Sequence, residues 1–242
     1  MRDKDIEKFR YDNRAKNHLN NNGYVILNEK PLYSPSYVEL LSDIPTGARV
    51  LEIGAGMGEN TEILLERELE VFATDISASS VKVMVSRFSQ YSKFHSTVED
   101  MEKLSFSDGY FDVVCSAGSL SYGDNFVVME EIYRVLKSNG TYIALDSLNH
   151  NPIYIFNRYL HFKRGRRSKS TLERMPTVDL IEEYGRRFGA VEVTYFGSIT
   201  WLFPILKRFL SKDRLDAFSD SIDKKFNIKK SAFKFTMKAT KS

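Results

Sequence analysis

Val50-Leu51-Glu52-Ile53-Gly54-Ala55-Gly56-Met57-Gly58-Glu59-Asn60-Thr61 is the stretch that decides the fold. An apolar strand runs into glycines at alternate positions, and a polar helix start follows. Glycine lets the backbone turn tightly and approach a ligand closely. The helix behind the turn points its free N–H groups and the positive end of its dipole into it. This is a cofactor corner, and its spacing argues against a dinucleotide. That fingerprint is G-x-G-x-x-G/A, with a small third residue for helix–strand packing. Here the third place holds Glu59, and the third glycine falls one position early, at Gly58. Glu52, two residues before the first glycine, is also unusual in a buried strand.

The next segments extend the pattern. Glu70 to Ser77 reads as a second buried strand ending in Asp75, 21 residues after Gly54. An acidic residue about 20 residues on reaches a ribose in doubly wound folds, and a carboxylate accepts two hydroxyl hydrogen bonds. Ser77 is placed to cap a helix over Ala78 to Phe88. Phe111 to Ala117 reads as another strand, leading into Gly118-Ser119-Leu120-Ser121-Tyr122-Gly123. Thr177 caps a helix that runs to Phe188 and stops at Gly189. Val191 to Phe196 and Ala232 to Thr240 read as the last two strands. Strands alternating with helix-period segments give an α/β domain with a largely parallel sheet.

E-x-G-x-G-x-G resembles motif I of the class I S-adenosylmethionine-dependent methyltransferases, and the stretch from Asp100 to Val114 resembles that family's D-a-e-x-L-P-F-x-D-x-x-F-D-V-V. Ser105 stands in place of the usual proline. Glu130 to Gly140 resembles the family's E-x-x-R-V-L-K-P-G-G helix and turn, with Ser138-Asn139 in place of Pro-Gly; Asn tolerates the left-handed turn. The resemblance covers residues 45 to 146. It implies a three-layer, Rossmann-like, seven-stranded sheet, mostly parallel with an antiparallel last strand, and S-adenosylmethionine as cofactor. Carried onto this chain, the cofactor contacts fall on Glu52, Gly54, Gly56, Gly58, Asp75, Ile76, Asp100, Met101 and Ala117. Glu99 is a rival to Asp100 for the adenine. The expected division is an N-terminal helical cover over 1–44, the cofactor-binding core over 45–146, a lid insertion over 147–176, and the rest of the domain over 177–242. Tyr11, Arg14 and His18 are candidate pocket residues on the cover.

The acceptor is read from what remains. Between Arg158 and Arg174 lie Lys163, Arg164, Arg166, Arg167 and Lys169, against Glu173 alone, with Tyr154, Phe156, Tyr159, His161 and Phe162 interleaved. This basic, aromatic lid implies an anionic small-molecule acceptor carrying phosphate or carboxylate, with a sugar or surface-polysaccharide precursor preferred. A tRNA-modifying enzyme, which would need a continuous basic face, and a regulatory protein that binds the cofactor without turnover are the alternatives. Methyl transfer to oxygen would gain from a general base, most often histidine. Of four histidines, His150 follows the fifth strand on the ligand side of the sheet, His18 sits on the cover, His161 on the lid, and His95 is structural.

No N/D-P-P-Y motif follows the fourth strand, which disfavours adenine-N6 chemistry. Cys115, the single cysteine, lies in an apolar strand and reads as an inert core thiol; it permits neither an internal disulfide nor a metal cluster. The absence of a signal peptide and of a long apolar run suggests a cytoplasmic protein. Trp201 to Phe226 reads as one long helical segment. Its stripe of Trp201, Phe203, Leu206, Phe209 and Leu210 is read as core or a dimer contact, with Lys207, Arg208 and Lys212 raising a membrane-surface role.

Overall fold

The computed structural model describes residues 3–20, 34–165, 168–226 and 229–242. Seven strands form one sheet: β1 Arg49–Ile53, β2 Glu70–Asp75, β3 Phe94–Val98, β4 Phe111–Ala117, β5 Leu136–Ser147, β6 Gly189–Phe196 and β7 Lys234–Lys241. Their order is β3-β2-β1-β4-β5-β7-β6. The pairs among β1 to β5 are parallel, and β7 lies antiparallel between β5 and β6. The seven-stranded, mostly parallel sheet with an antiparallel last strand is the expected one.

The helices are α1 Asp3–Asn20, α2 Ser34–Leu41, α3 Thr61–Leu65, α4 Ala78–Phe88, α5 Asn125–Val135, α6 Pro152–Lys163, α7 Lys169–Glu173, α8 Val178–Phe188, α9 Phe203–Leu206 and α10 Lys212–Phe226. Central strands buried on both faces need apolar residues of both parities, and β1 supplies them. Leu51 and Ile53 pack with Ile132 of α5 and Tyr184 and Phe188 of α8 on one face. Val50 packs with Leu41 of α2, Leu64 of α3 and Met84 of α4 on the other.

The capping residues do what their chemistry allows. The Ser77 hydroxyl accepts from Ser80 N at 3.1 Å, and that of Thr177 from Leu180 N at 3.2 Å. Gly189, at φ 93°, ends α8, and Asn139, where the family resemblance has glycine, takes φ 61° in the first part of β5, where its register against β4 shifts. The segment from Trp201 to Phe226 departs from the expected continuous helix. It breaks into a 3₁₀ turn at Thr200–Leu202, α9 and α10. Pro204, confined to the first turn of a helix, sits at the start of α9. Trp201 and Phe209 are not core: both are exposed, Phe209 by 79%.

Candidate active site

The corner between β1 and α3 is built by close packing. Gly54 has φ 63°, and a Cβ there would stand 2.5 Å from the Ser119 Cβ on the loop after β4. Gly58 has φ 85°, and its Cβ would stand 2.4 Å from the Phe88 ring of α4. The first glycine thus lets two loops meet, and the last lets the corner lie on α4. Glu52 is buried beneath the corner, where it accepts from the Thr61 hydroxyl at 2.6 Å. Burial pushes its carboxyl up to about 7, against the lowering effect of the Thr61 bond.

Asp75, at the end of β2, binds the corner directly. One carboxylate oxygen accepts from Gly56 N at 2.9 Å and the other from Ser77 N at 2.8 Å. Burial raises this carboxyl to about 6, and those two N–H bonds oppose the rise. The helix α1 is latched to the same place: Asp12 accepts from the Ser77 hydroxyl at 2.5 Å and from Ser79 N at 3.3 Å.

These elements enclose a cavity of about 250 Å³ at the carboxyl ends of β1, β2 and β4, where open α/β sheets bind ligands. Of the nine expected cofactor residues, Gly54, Gly56, Asp75, Ile76, Asp100, Met101 and Ala117 line it. Glu52 and Gly58 do not; they support the corner from below and behind. Both carboxylates after β3 reach the wall and both hold local structure: Glu99 accepts from Ser105 N at 3.1 Å and from the Ser105 hydroxyl at 2.5 Å, and Asp100 from Glu102 N at 3.0 Å. The serine that replaces the usual proline therefore holds Glu99.

The cover contributes Tyr11 and Arg14 as expected, and also Glu7. Glu7 was not anticipated, although Glu7, Tyr11 and Arg14 follow i, i+4, i+7, a helical spacing that places them on one face. Tyr11 meets Tyr122 edge-on at 5.5 Å, and burial holds its phenol well above the usual value. Glu59, singled out in the sequence as too large for a dinucleotide corner, is a wall residue; it accepts from Met57 N at 2.9 Å and pairs with Arg14 at 3.2 Å.

The histidines lie elsewhere. His18 is buried on α1 and His150 is exposed beyond β5; neither is among the described wall residues. His95 stacks on Phe72 at 4.5 Å in β3, as a structural residue would. Among the described residues no His, Cys, Asp and Glu cluster could hold a metal.

The lid segment also has another orientation. Arg158 is buried and donates to Leu148 O at 3.0 Å. Lys169 pairs with Glu173 at 3.1 Å, and α6 gives the cavity no wall residue. Arg166 and Arg167 lie outside the described residues.

Residues 51–144 match the family model described as a methyltransferase domain. That stretch, from β1 into β5, is similar to the methyltransferase domains of known proteins. Over 107 residues the chain is 36% identical to a ubiquinone/menaquinone biosynthesis C-methyltransferase of Neisseria gonorrhoeae, which covers 41% of this chain; the chain spans 43% of that relative's length. Phosphoethanolamine N-methyltransferase 2 of Haemonchus contortus, solved with S-adenosylhomocysteine, superposes with a TM-score of 0.60 at 19% identity, over 86% of this chain and 52% of that one. Geranyl diphosphate C-methyltransferase of Streptomyces coelicolor gives a TM-score of 0.59 at 15% identity, over 86% and 78%. At such identities the two structures show the fold alone. The cofactor of such domains is S-adenosylmethionine, and the donor set fits it: carboxylates around the cavity suit a sulfonium cation, and Asp75 keeps lone pairs for a diol.

Proposed function

We propose that the chain transfers a methyl group from S-adenosylmethionine to a small, neutral or cationic organic acceptor. The observation that carries this reading is that the glycine corner, Asp75, and the Asp100-Met101 pair line one cavity under α1. When bound, the cofactor supplies a methyl group already activated by a positively charged sulfur. Gly54 and Gly56 would take the methionine part, Asp75 the ribose, and Asp100 with Met101 the adenine. Glu52 and Gly58 act through the corner they support. The remaining work is positioning and exclusion of water, and it falls to Tyr11, Tyr122 and Glu7.

The charge of the wall argues about the acceptor. It presents Glu7, Glu59, Asp75, Glu99 and Asp100 against Arg14, which itself pairs with Glu59. An anionic acceptor, and with it the sugar-precursor preference, drew its support from the lid cations, and none of the described ones reaches the wall. An uncharged ring suits this wall, and the relatives include quinone-pathway enzymes: the C-methyltransferase above and a 2-methyl-6-phytyl-1,4-hydroquinone methyltransferase of Synechocystis. His150 or His18 would have to move onto the wall to serve as base; an acceptor whose nucleophile needs little base fits the described residues better.

The test is transfer of a labelled methyl group from S-adenosylmethionine into a cell extract, separated into organic, aqueous and RNA fractions. Label in the organic phase or on an amine supports the reading. Label on RNA would establish the tRNA-modifying alternative, and label on phosphorylated metabolites the anionic one. Tight cofactor binding with no label in any fraction would make the chain a binding protein.

A further inference from the structure

The helix α6 faces the wrong way for a lid. Tyr154 and Arg158 point inward: the Tyr154 ring lies 4.4 Å from that of Phe233, and the Arg158 guanidinium lies 5.4 Å over the same ring. The outward arc carries Ile153, Ile155, Phe156 and Tyr159, all exposed, Phe156 by 62%. The Tyr154 hydroxyl bonds Thr200 and lies 3.4 Å from Gly197 O, which ties α6 to the turn that opens α9. That neighbouring segment projects Trp201, Ile205 and Phe209, with Ile205 exposed by 60%. Two adjoining elements thus turn apolar side chains to water, where large exposed patches mark interaction sites.

Within these two segments the charges have one sign. No aspartate or glutamate occurs from Ser147 to Leu172 or from Gly197 to Lys212. Lys163, Arg164, Lys207, Arg208 and Lys212 are all exposed in those segments. In a second copy packed by two-fold symmetry the same patch would meet itself, setting cations against cations. A nucleic-acid backbone would satisfy the cations but leave Ile153, Ile205 and Phe209 uncovered. An anionic lipid surface answers both features, because an interfacial helix buries its apolar face at the acyl boundary while Lys and Arg meet the headgroups.

We propose that α6 and residues 200–212 dock the protein on an anionic membrane surface, lying in the headgroup plane with Phe156, Ile205 and Phe209 inserted. Among the described residues no helix is long and apolar enough to cross a membrane, so the association is peripheral. It stands independently of the methyl-transfer reading.

The experiment is co-sedimentation of the full chain with phosphatidylcholine vesicles, with and without phosphatidylglycerol, across a salt series. The expected result is pelleting with the anionic vesicles that weakens as salt rises. The double variant Phe156→Ser/Phe209→Ser and the double variant Lys207→Glu/Arg208→Glu should each lower the partition by about tenfold or more. All these side chains are exposed, so unchanged S-adenosylhomocysteine affinity serves as the control for folding. The proposal is overturned by no pelleting with anionic vesicles, by equal pelleting with both vesicle types, or by variants that bind as the parent does. It is equally overturned if these variants abolish a dimer while vesicle binding is absent.

Discussion

Asp75 shows how much one carboxylate can be asked to do. Its two oxygens hold the glycine corner and the start of α4 through Gly56 N and Ser77 N, and the residue lines the cavity. Asp75→Ala should therefore weaken S-adenosylhomocysteine binding by about tenfold to a hundredfold, the range for hydrogen bonds to a charged group, as read by calorimetry. Because burial raises this carboxyl to about 6, cofactor affinity should fall as pH drops from 7.5 through 6 and the group takes up a proton. An affinity that is flat over that range would place the ribose elsewhere. Glu52 titrates in the same sense but acts on stability. Its carboxyl is raised from 4.5 to about 7, so its contribution to stability is full below 4.5 and is lost as pH rises through 7. At roughly 1.4 kcal/mol per pH unit, that loss is on the order of 3 kcal/mol. Glu52→Gln should flatten the decline and leave the cofactor-free protein more stable than the parent at pH 8. Equal melting curves at pH 5 and pH 8 for the two proteins would contradict this.

At the scale of the element, the glycine corner separates two costs. Gly58→Ala meets both a left-handed backbone and the Phe88 ring at 2.4 Å, so it should cost about 2 to 4 kcal/mol in chemical denaturation. Gly118→Ala, at φ 72° with open space around it, should cost only the backbone term of about 1 kcal/mol. If the two variants were equally stable, packing on α4 would not be what demands Gly58. The same elements show what could be read from sequence. Ser77, Thr177 and Gly189 announced their helix ends, and Asn139 its left-handed backbone, because capping and left-handed geometry are local properties of a residue and its neighbours. The glycine corner announced the cavity because backbone approach requires that composition. The break at Pro204 is a local signal of the same kind, since proline cannot continue a helix, whereas the outward face of α6 was not legible in this way. An apolar stripe at helical spacing states that something covers it, and the core, a partner and a lipid surface all satisfy that statement. The wall role of Glu59 was half legible: its size excluded one cofactor, but its pairing with Arg14 depends on how α1 crosses the corner.

For the whole molecule, the fold was legible because β1, β2 and β4 carry apolar residues on both faces, as strands of a doubly covered parallel sheet do. The N-terminal cover was legible only in part, since its position rests on the Asp12 latch to Ser77 and Ser79, between residues far apart in sequence. Asp12→Ala should open that latch with little change in global stability. Proteolytic cleavage within α1 should quicken, and saturating S-adenosylhomocysteine should restore part of the protection; unchanged cleavage would show that packing on α4 holds α1 by itself. One feature of the sheet bears on how the chain is made. The strand β7 is the last of the seven along the chain, yet it is inserted between β5 and β6. During synthesis from the N-terminus, β1 to β5 can pair as they emerge, so the cofactor corner can close around its ligand early. The strand β6 has no partner until residues 234–241 have left the ribosome. Until then the free edges of β5 and β6 offer unpaired backbone to any passing strand, and early occupation of the corner would hold half a protein in register while the other half waits.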